Sequence, residues 1–233
     1  ADRLPHSIEF RDQRLGRDLD ISVIPLYDPA GQLIGAVHIT RDITDRKAME
    51  QEREKLIEEL TMAKEALEHL ATHDSLTGLL NRGAILERLR IELSRAHREG
   101  FPIGMIMIDL DNFKSVNDRH GHLIGDAVLR EAARRITSLV RPYDAVGRYG
   151  GEEFIVVLPG CDRGNSADLA ERLRTSFCDE PLSVDEGLFS VTLSCGVTAI
   201  DVASTTDIDA CIRAADEALY KAKRSGRNRV ELT

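Results

Sequence analysis

Nothing in this sequence approaches the roughly 20 consecutive apolar residues that a membrane-spanning helix needs, and its first residues lack the basic-then-apolar pattern of an export signal. A cytoplasmic location is the expectation. Basic excess is missing too. The formal charge is -9, and a chain without a basic face gains little from releasing the counterions of a phosphate backbone, which argues against broad DNA or RNA binding. An anion site confined to a few residues stays open. The four cysteines, Cys161, Cys178, Cys195 and Cys211, form no C-x-x-C pair and have no histidine at metal-ligand spacing. Reduced thiols in the core are therefore expected rather than a zinc site or a disulfide framework. There is no internal repeat and no low-complexity segment. What remains, at 42% hydrophobic and 30% charged over 233 residues, is an ordinary globular chain, long enough for one large domain or a small one plus a medium one.

Three regions follow in order. Residues 1–43 read as antiparallel β structure: "SIEF", "LDISVIPLY", the turn Asp28-Pro29-Ala30-Gly31, then "LIGAVHITRDI". The turn chemistry and the alternation around it predict a hairpin with one buried face. From Thr44 or Asp45, either of which suits a helix N-cap, residues 44–73 contain no Gly or Pro and predict one long helix. Placing Met49, Leu56, Ala63 and Leu70 at d puts Leu60 and Leu67 at a, a period of 3.5 that begins weakly on Arg46 and Arg53. A coiled-coil homodimer is the expectation, with a solvated helix lying on its own domain as the alternative. Residues 74–233 alternate between α and β. Helices are predicted at 82–97, 125–140, across "SADLAERLRTSF" and at 208–224. Strands are predicted at "PIGMIMIDL", in the hairpin "AVGRYGGEEFIVVLP", at "LFSVTLSCGVTAI" and at "RVEL". Hairpin-linked strands between helices imply an α/β (α+β) fold with a mixed, largely antiparallel central sheet flanked by helices.

Within "MIMIDLDNFKSVND", five apolar residues among positions 103–108 end in Asp109, so a strand buried on both faces delivers a carboxylate at its C-terminal edge. In "RYGGEEF" (148–154), a turn at Gly150-Gly151 delivers Glu152 and Glu153 at the start of another strand. If the strands are neighbours, three carboxylates converge. Their repulsion calls for a hard cation, Mg²⁺ or Mn²⁺, which normally also carries phosphates. Glycines there admit positive φ and let backbone approach a ligand closely. Read alone, the segment is equally a hairpin turn tipped with solvated glutamates.

Four stretches taken together remove that ambiguity. "DSLTGLLNR" (74–82), "DLDNFKSVND" (109–118), "RYGGEEF" (148–154) and "ADEALYKAKRSGRN" (215–228) closely resemble the GGDEF family of diguanylate cyclases, in the family's order. Glu152 replaces the Asp of the family name, a chemically equivalent form. The resemblance implies a fold similar to the nucleotidyl cyclase and polymerase palm. Asp109, the main-chain carbonyl of Leu110, Glu152 and Glu153 match metal ligands, two ions to each half-site, and Glu153 matches the residue that helps deprotonate the attacking hydroxyl. Asn117 and Asp126 match the pair that reads the guanine edge, chemistry in which the carboxylate accepts from N1-H and N2-H while the amide donates to O6. Lys114, Lys223 and Arg227 match triphosphate contacts. Lys223 and Arg227, four apart at a helix end, would share a face; alone they are equally a solvated basic terminus. Amides near Asn112 and Phe113 would cradle phosphates, although Asn112 stands where many relatives carry an aromatic residue or His.

The implied reaction condenses two GTP molecules to cyclic di-GMP and two pyrophosphates between two facing domains. Arg141-Pro142-Tyr143-Asp144 resembles the family's R-x-x-D product-inhibition motif, with Arg172 as its secondary arginine or, alternatively, an exposed salt-bridge residue. Residues 1–43, with the closing motif "DIT" at Asp42-Ile43-Thr44, resemble the last strands of a PAS sensory domain. The reading is thus a PAS remnant, a signalling helix and a cyclase domain. Its rivals are a non-catalytic GTP or cyclic di-GMP sensor and an adaptor acting through the helix. The complete acidic set favours the enzyme.

Overall fold

Alternation and turn chemistry act early in this computed structural model, which describes residues 4–200 and 207–233. Strands β1 (His6–Asp12), β2 (Arg17–Tyr27) and β3 (Leu33–Asp42) form a three-stranded antiparallel sheet. The β2–β3 turn is the one anticipated: the Asp28 carbonyl accepts from Gly31 N (2.9 Å), and its carboxylate accepts from Gln32 N (2.8 Å). Helix α1 (Thr44–Thr72) follows over 29 residues. Its cap differs from the expectation. Asp42, at the end of β3, accepts from Thr44 N (3.1 Å) and from its hydroxyl (2.6 Å). The hydroxyl oxygen of Thr44 is itself engaged by Asp18 N (2.9 Å), so it is occupied tying helix to sheet. No residue of α1 is buried, and Met49, Leu56, Leu60, Leu67 and Leu70 of the heptad stripe are all more than half exposed.

The chain divides into two units, Ala1–Leu67 and Glu68–Thr233. In the second, α2 (Arg82–Glu99) starts at Asn81, whose side chain accepts from Ala84 N, and stops at Gly100 in the left-handed region. Strand β4 (Ile103–Leu110) is buried at every position. Helix α3 (Phe113–His120), absent from the sequence reading, comes next, and then α4 (His122–Leu139). The Asn, Asp and Ser content of "DNFKSVND" hides a short helix, because those side chains compete for backbone hydrogen bonds elsewhere. Strands β5 (Ala145–Gly150) and β6 (Glu153–Pro159) form the expected hairpin. Helix α5 (Arg163–Asp179) begins on the Asp162 cap. The anticipated strand across 188–200 is in fact two: β8 (Gly187–Phe189), paired with β7 (Leu182–Val184), and β9 (Leu193–Ile200). Helix α6 (Ile208–Arg224) and β10 (Val230–Leu232) complete the unit.

The main sheet runs β10-β9-β4-β6-β5, antiparallel except where β10 lies parallel to β9. Both faces are covered. Ile106, Ile108 and Leu110 belong to one buried cluster with α4 and α5 residues such as Val128, Ile136 and Leu173, while Met105 and Met107 join Ile85, Leu89 and Leu219 of α2 and α6 on the other. Full burial of each such side chain is worth about 1.5–3 kcal/mol. The period of two that sorts these residues also puts Asp109 on the face of Met105 and Met107, toward α6. All four cysteines are free; Cys161, Cys195 and Cys211 are buried, but Cys178 is exposed on α5, contrary to a core assignment.

Candidate active site

Strands β4 and β6 are neighbours in antiparallel register, and Asp109 is paired directly with Glu153. The hairpin loop between β5 and β6 is Gly151-Glu152, one residue later than anticipated, with Gly150 closing β5 and pairing with Glu153. Only Gly151 has positive φ (+52°), and a Cβ on either glycine would meet nothing within 4 Å. The turn explains Gly151. At Gly150, which has no positive φ, the structure shows only open space beside the backbone.

Lys223, in the last turn of α6, donates to Asp109 Oδ2 at 2.6 Å and stands 3.8 Å from Glu153 Oε1. Burial pushes the carboxyl of Asp109 up to about 6, against the pull of Lys223 and with help from the charges of Glu152 and Glu153. Among the described residues no three acidic, histidine or cysteine groups close into a metal cage. The expected convergence of three carboxylates is therefore incomplete: Glu152 lies in the loop, and the ammonium of Lys223 stands beside the other two. The donor chemistry still fits a hard divalent cation, since Asp109 and Glu153 offer carboxylate oxygens from directly paired positions and Glu152 precedes Glu153 in the adjoining loop.

On the adjoining side, β4 runs into α3 through Asp111 and Asn112, the latter in the left-handed conformation (φ 55°). The amides of Phe113 and Lys114 at the helix start have no intrahelical acceptor, and the Lys114 side chain is exposed. Asn117 on α3 and Asp126 on α4 are both half-buried. A Cβ on Gly125 would collide with the Asn117 carboxamide, so the missing side chain of Gly125 is what lets Asn117 lie against α4, one position before Asp126. Arg227 is not on the helix face of Lys223. Helix α6 ends at Arg224, and Arg227 sits beyond it at φ 62°, its amide bonded to the Ala222 carbonyl (3.0 Å) and its side chain exposed.

Arg148 is a residue whose role the sequence did not disclose. Its Nε and Nη2 both donate to the Gly151 carbonyl (2.9 and 2.8 Å), and its Nη1 reaches both oxygens of Asp74 at 3.2 Å. Asp74 in turn accepts from Thr77 N and Oγ1. The first residue of "DSLTGLLNR" and the first of "RYGGEEF" are thus one ion pair, and it holds the acidic turn. A leading acid and a leading base in two motifs were the available signal.

The R-x-x-D segment is a tight turn: Arg141 N donates to Asp144 Oδ2 (2.8 Å), and Asp144 N to the Arg141 carbonyl (3.0 Å). The other oxygen, Asp144 Oδ1, is buried without a hydrogen-bond partner among the described residues, and burial raises the pKa of this carboxyl. Arg141, Asp144 and Arg172 all line one cavity of about 620 Å³ between the α4–β5 segment and α5. Arg172 makes no ion pair among the described residues and donates instead to the Leu139 carbonyl (3.1 Å).

A helix-flanked sheet, antiparallel but for its β10 edge, thus pairs two acids on adjacent strand ends, beside a lysine and a helix whose N-cap makes no side-chain hydrogen bond. The chain belongs to the GGDEF family: the model described as "Diguanylate cyclase, GGDEF domain" matches residues 71–229. It is 36% identical over 242 residues to the response regulator PleD of Caulobacter vibrioides, covering 98% of this chain and 53% of that protein. It is 41% identical over 162 residues to the diguanylate cyclase DgcP of Pseudomonas aeruginosa, covering 70% and 24%. The chain therefore spans about half the length of PleD and about a quarter of DgcP. A crystal structure of the coiled coil and GGDEF domain of DgcB from Caulobacter crescentus, in complex with c-di-GMP, superposes with a TM-score of 0.74 at 30% identity over 80% of this chain and 98% of that one. No helix among the described residues is long and apolar enough to cross a membrane.

Proposed function

We propose that this chain is a diguanylate cyclase unit that condenses two GTP molecules into cyclic di-GMP with release of two pyrophosphates. The observation that carries the reading is the register pair Asp109–Glu153 with Lys223 beside it. In each half-reaction a 3′-oxygen forms a bond to the α-phosphorus of the other nucleotide, and the bond from that phosphorus to pyrophosphate breaks. Glu153 takes the proton of the attacking hydroxyl. Asn117 and Asp126 read guanine, and Lys114, Lys223, Arg227 and the first amides of α3 hold the phosphates. Mg²⁺ or Mn²⁺, two to a half-site, would be held by Asp109, the Leu110 carbonyl, Glu152 and Glu153, and would stabilise charge on the attacking and leaving oxygens.

One chain carries one nucleotide, so the reaction needs two chains face to face. The exposed apolar stripe of α1 supports a coiled-coil homodimer over 44–73, fed by a PAS-like segment over 1–43 and followed by the catalytic domain over 74–233. The cavity at Arg141, Asp144 and Arg172, with its unpartnered carboxylate oxygen, supports feedback inhibition by cyclic di-GMP. The test is incubation with GTP and Mg²⁺ while pyrophosphate and cyclic dinucleotide are followed. Product from the wild type and none from Glu153→Gln is the expected outcome. No cyclic dinucleotide at high protein concentration refutes the enzyme, and a fully active Glu153→Gln removes Glu153 from the chemistry.

A further inference from the structure

Asp111, two residues beyond Asp109, is 5% exposed, and its carboxylate makes no ion pair among the described residues. Its bonds are all with neutral donors. Oδ2 accepts from the Thr192 hydroxyl (2.7 Å) and from the backbone N–H of Asn228 (3.0 Å), and Oδ1 accepts from the Ser194 hydroxyl (2.6 Å). The backbone that it grips is unusual. Arg227 and Asn228, neither a glycine, are both left-handed, with φ of 62° and 46°. Successive left-handed residues with side chains are costly and persist only where the surroundings over-determine them.

Further bonds complete that determination. Arg174 donates to Asn228 Oδ1 (2.8 Å), Arg227 N bonds the Ala222 carbonyl (3.0 Å), and Cys195 N bonds the Arg229 carbonyl (2.9 Å). The outcome is an exposed Arg227 side chain on a backbone held on both sides by these bonds. The geometry points to Asp111 as a positioning residue for the nucleotide's outer phosphates: it fixes the left-handed turn that presents Arg227. This rests on the cyclase reading of Arg227 as a phosphate contact. A carboxylate suits the task because it offers only acceptors to three donors. An asparagine of the same shape keeps an oxygen for Thr192 and Asn228 and turns its amide toward the Ser194 oxygen, whereas alanine leaves the Asn228 N–H unpaired.

The test is a double-mutant cycle read as affinity for 3′-deoxy-GTP, which cannot condense, with Mg²⁺ present, alongside steady-state GTP turnover and thermal melting. Asp111→Ala weakens binding about tenfold, the scale of one charge-assisted hydrogen bond, with KM rising by a similar factor and kcat little changed. Asp111→Asn restores most of the affinity. On an Arg227→Ala background, Asp111→Ala adds less than about twofold, because the contact through which it acts is already gone. General loosening of the fold would instead cost the same factor on both backgrounds, and that result overturns the proposal, as does unchanged affinity in a folded Asp111→Ala. Should the alanine variant fail to fold, Asp111→Ser, which keeps a polar pocket but cannot reach Asn228, carries the same expectation. A wild type that binds the analogue and shows the coupling but releases no pyrophosphate removes the cyclase reading and leaves the positioning role standing. Absence of binding by the wild type overturns both.

Discussion

Replacing Arg148 by alanine removes the side chain that ties Asp74 to the acidic turn. Four donor–acceptor contacts go at once: two to the Gly151 carbonyl and two to Asp74. The pair is largely shielded, with side-chain exposures of 17% for Arg148 and 23% for Asp74. Its loss therefore exceeds the near-zero worth of a surface ion pair. Asp74 keeps its Thr77 bonds, which holds the cost below that of a stranded buried charge. A loss of about 2 kcal/mol follows, in the range of a hydrogen bond to a charged group, or a fall of about 4–8 °C in Tm for a unit of this size.

The pH dependence has a definite sign. Burial alone would raise the pKa of Asp74, but the Thr77 hydrogen bonds and Arg148 outweigh it and hold the value below 3.8. A carboxyl depressed on folding contributes stability that is present above its unfolded pKa and lost as pH falls through the lower folded value. The gap in Tm between wild type and Arg148→Ala is therefore widest near neutrality and narrows as pH drops below about 4. Calorimetry across that range measures it, and Asp74→Asn on the Arg148→Ala background should add little because the two residues share one interaction. Equal melting temperatures, or full additivity of the two substitutions, would refute the account.

Gly125→Ala forces the Asn117 carboxamide off α4; GTP affinity falls and preference over ATP narrows, measured by competition binding, with an expected loss of about tenfold for one misplaced base contact. Arg141→Ala leaves the initial rate intact and raises the cyclic di-GMP concentration needed for half inhibition at least about tenfold; unchanged inhibition rules out the cavity at Asp144 as the inhibitory site. Leu60→Lys with Leu67→Lys places charge in the stripe of α1, and sedimentation should then show monomer together with loss of turnover at low protein concentration. A dimer that survives both substitutions locates the contact elsewhere.

What the sequence disclosed, and what it withheld, divides along a physical line. Features written in consecutive residues were legible: the buried run that ends in Asp109, the hairpin of β5 and β6, the limits of α6, and the turn at Asp28 to Gly31. Their determinants are hydrophobic period and turn chemistry, both local. Placement that depends on backbone conformation against a distant partner was not. Arg227 reads as a helical neighbour of Lys223 only if the helix continues, and it stops because Ser225 and Gly226 let the chain turn while Asp111 and Arg174 hold the next residues left-handed. Asp111 itself looks like a second acid of the Asp109 kind. Its three neutral donors come from positions 192, 194 and 228, and no spacing rule connects them. The same holds for Arg148 and Asp74, 74 residues apart. These long-range ties involve no unusual residue types, so composition cannot reveal them, yet they fix where the acidic turn and the exposed Arg227 stand. Motif residues nominate the chemistry; the geometry is set by acids and bases such as Asp74, Asp111, Arg148 and Arg174, whose partners lie far off in sequence.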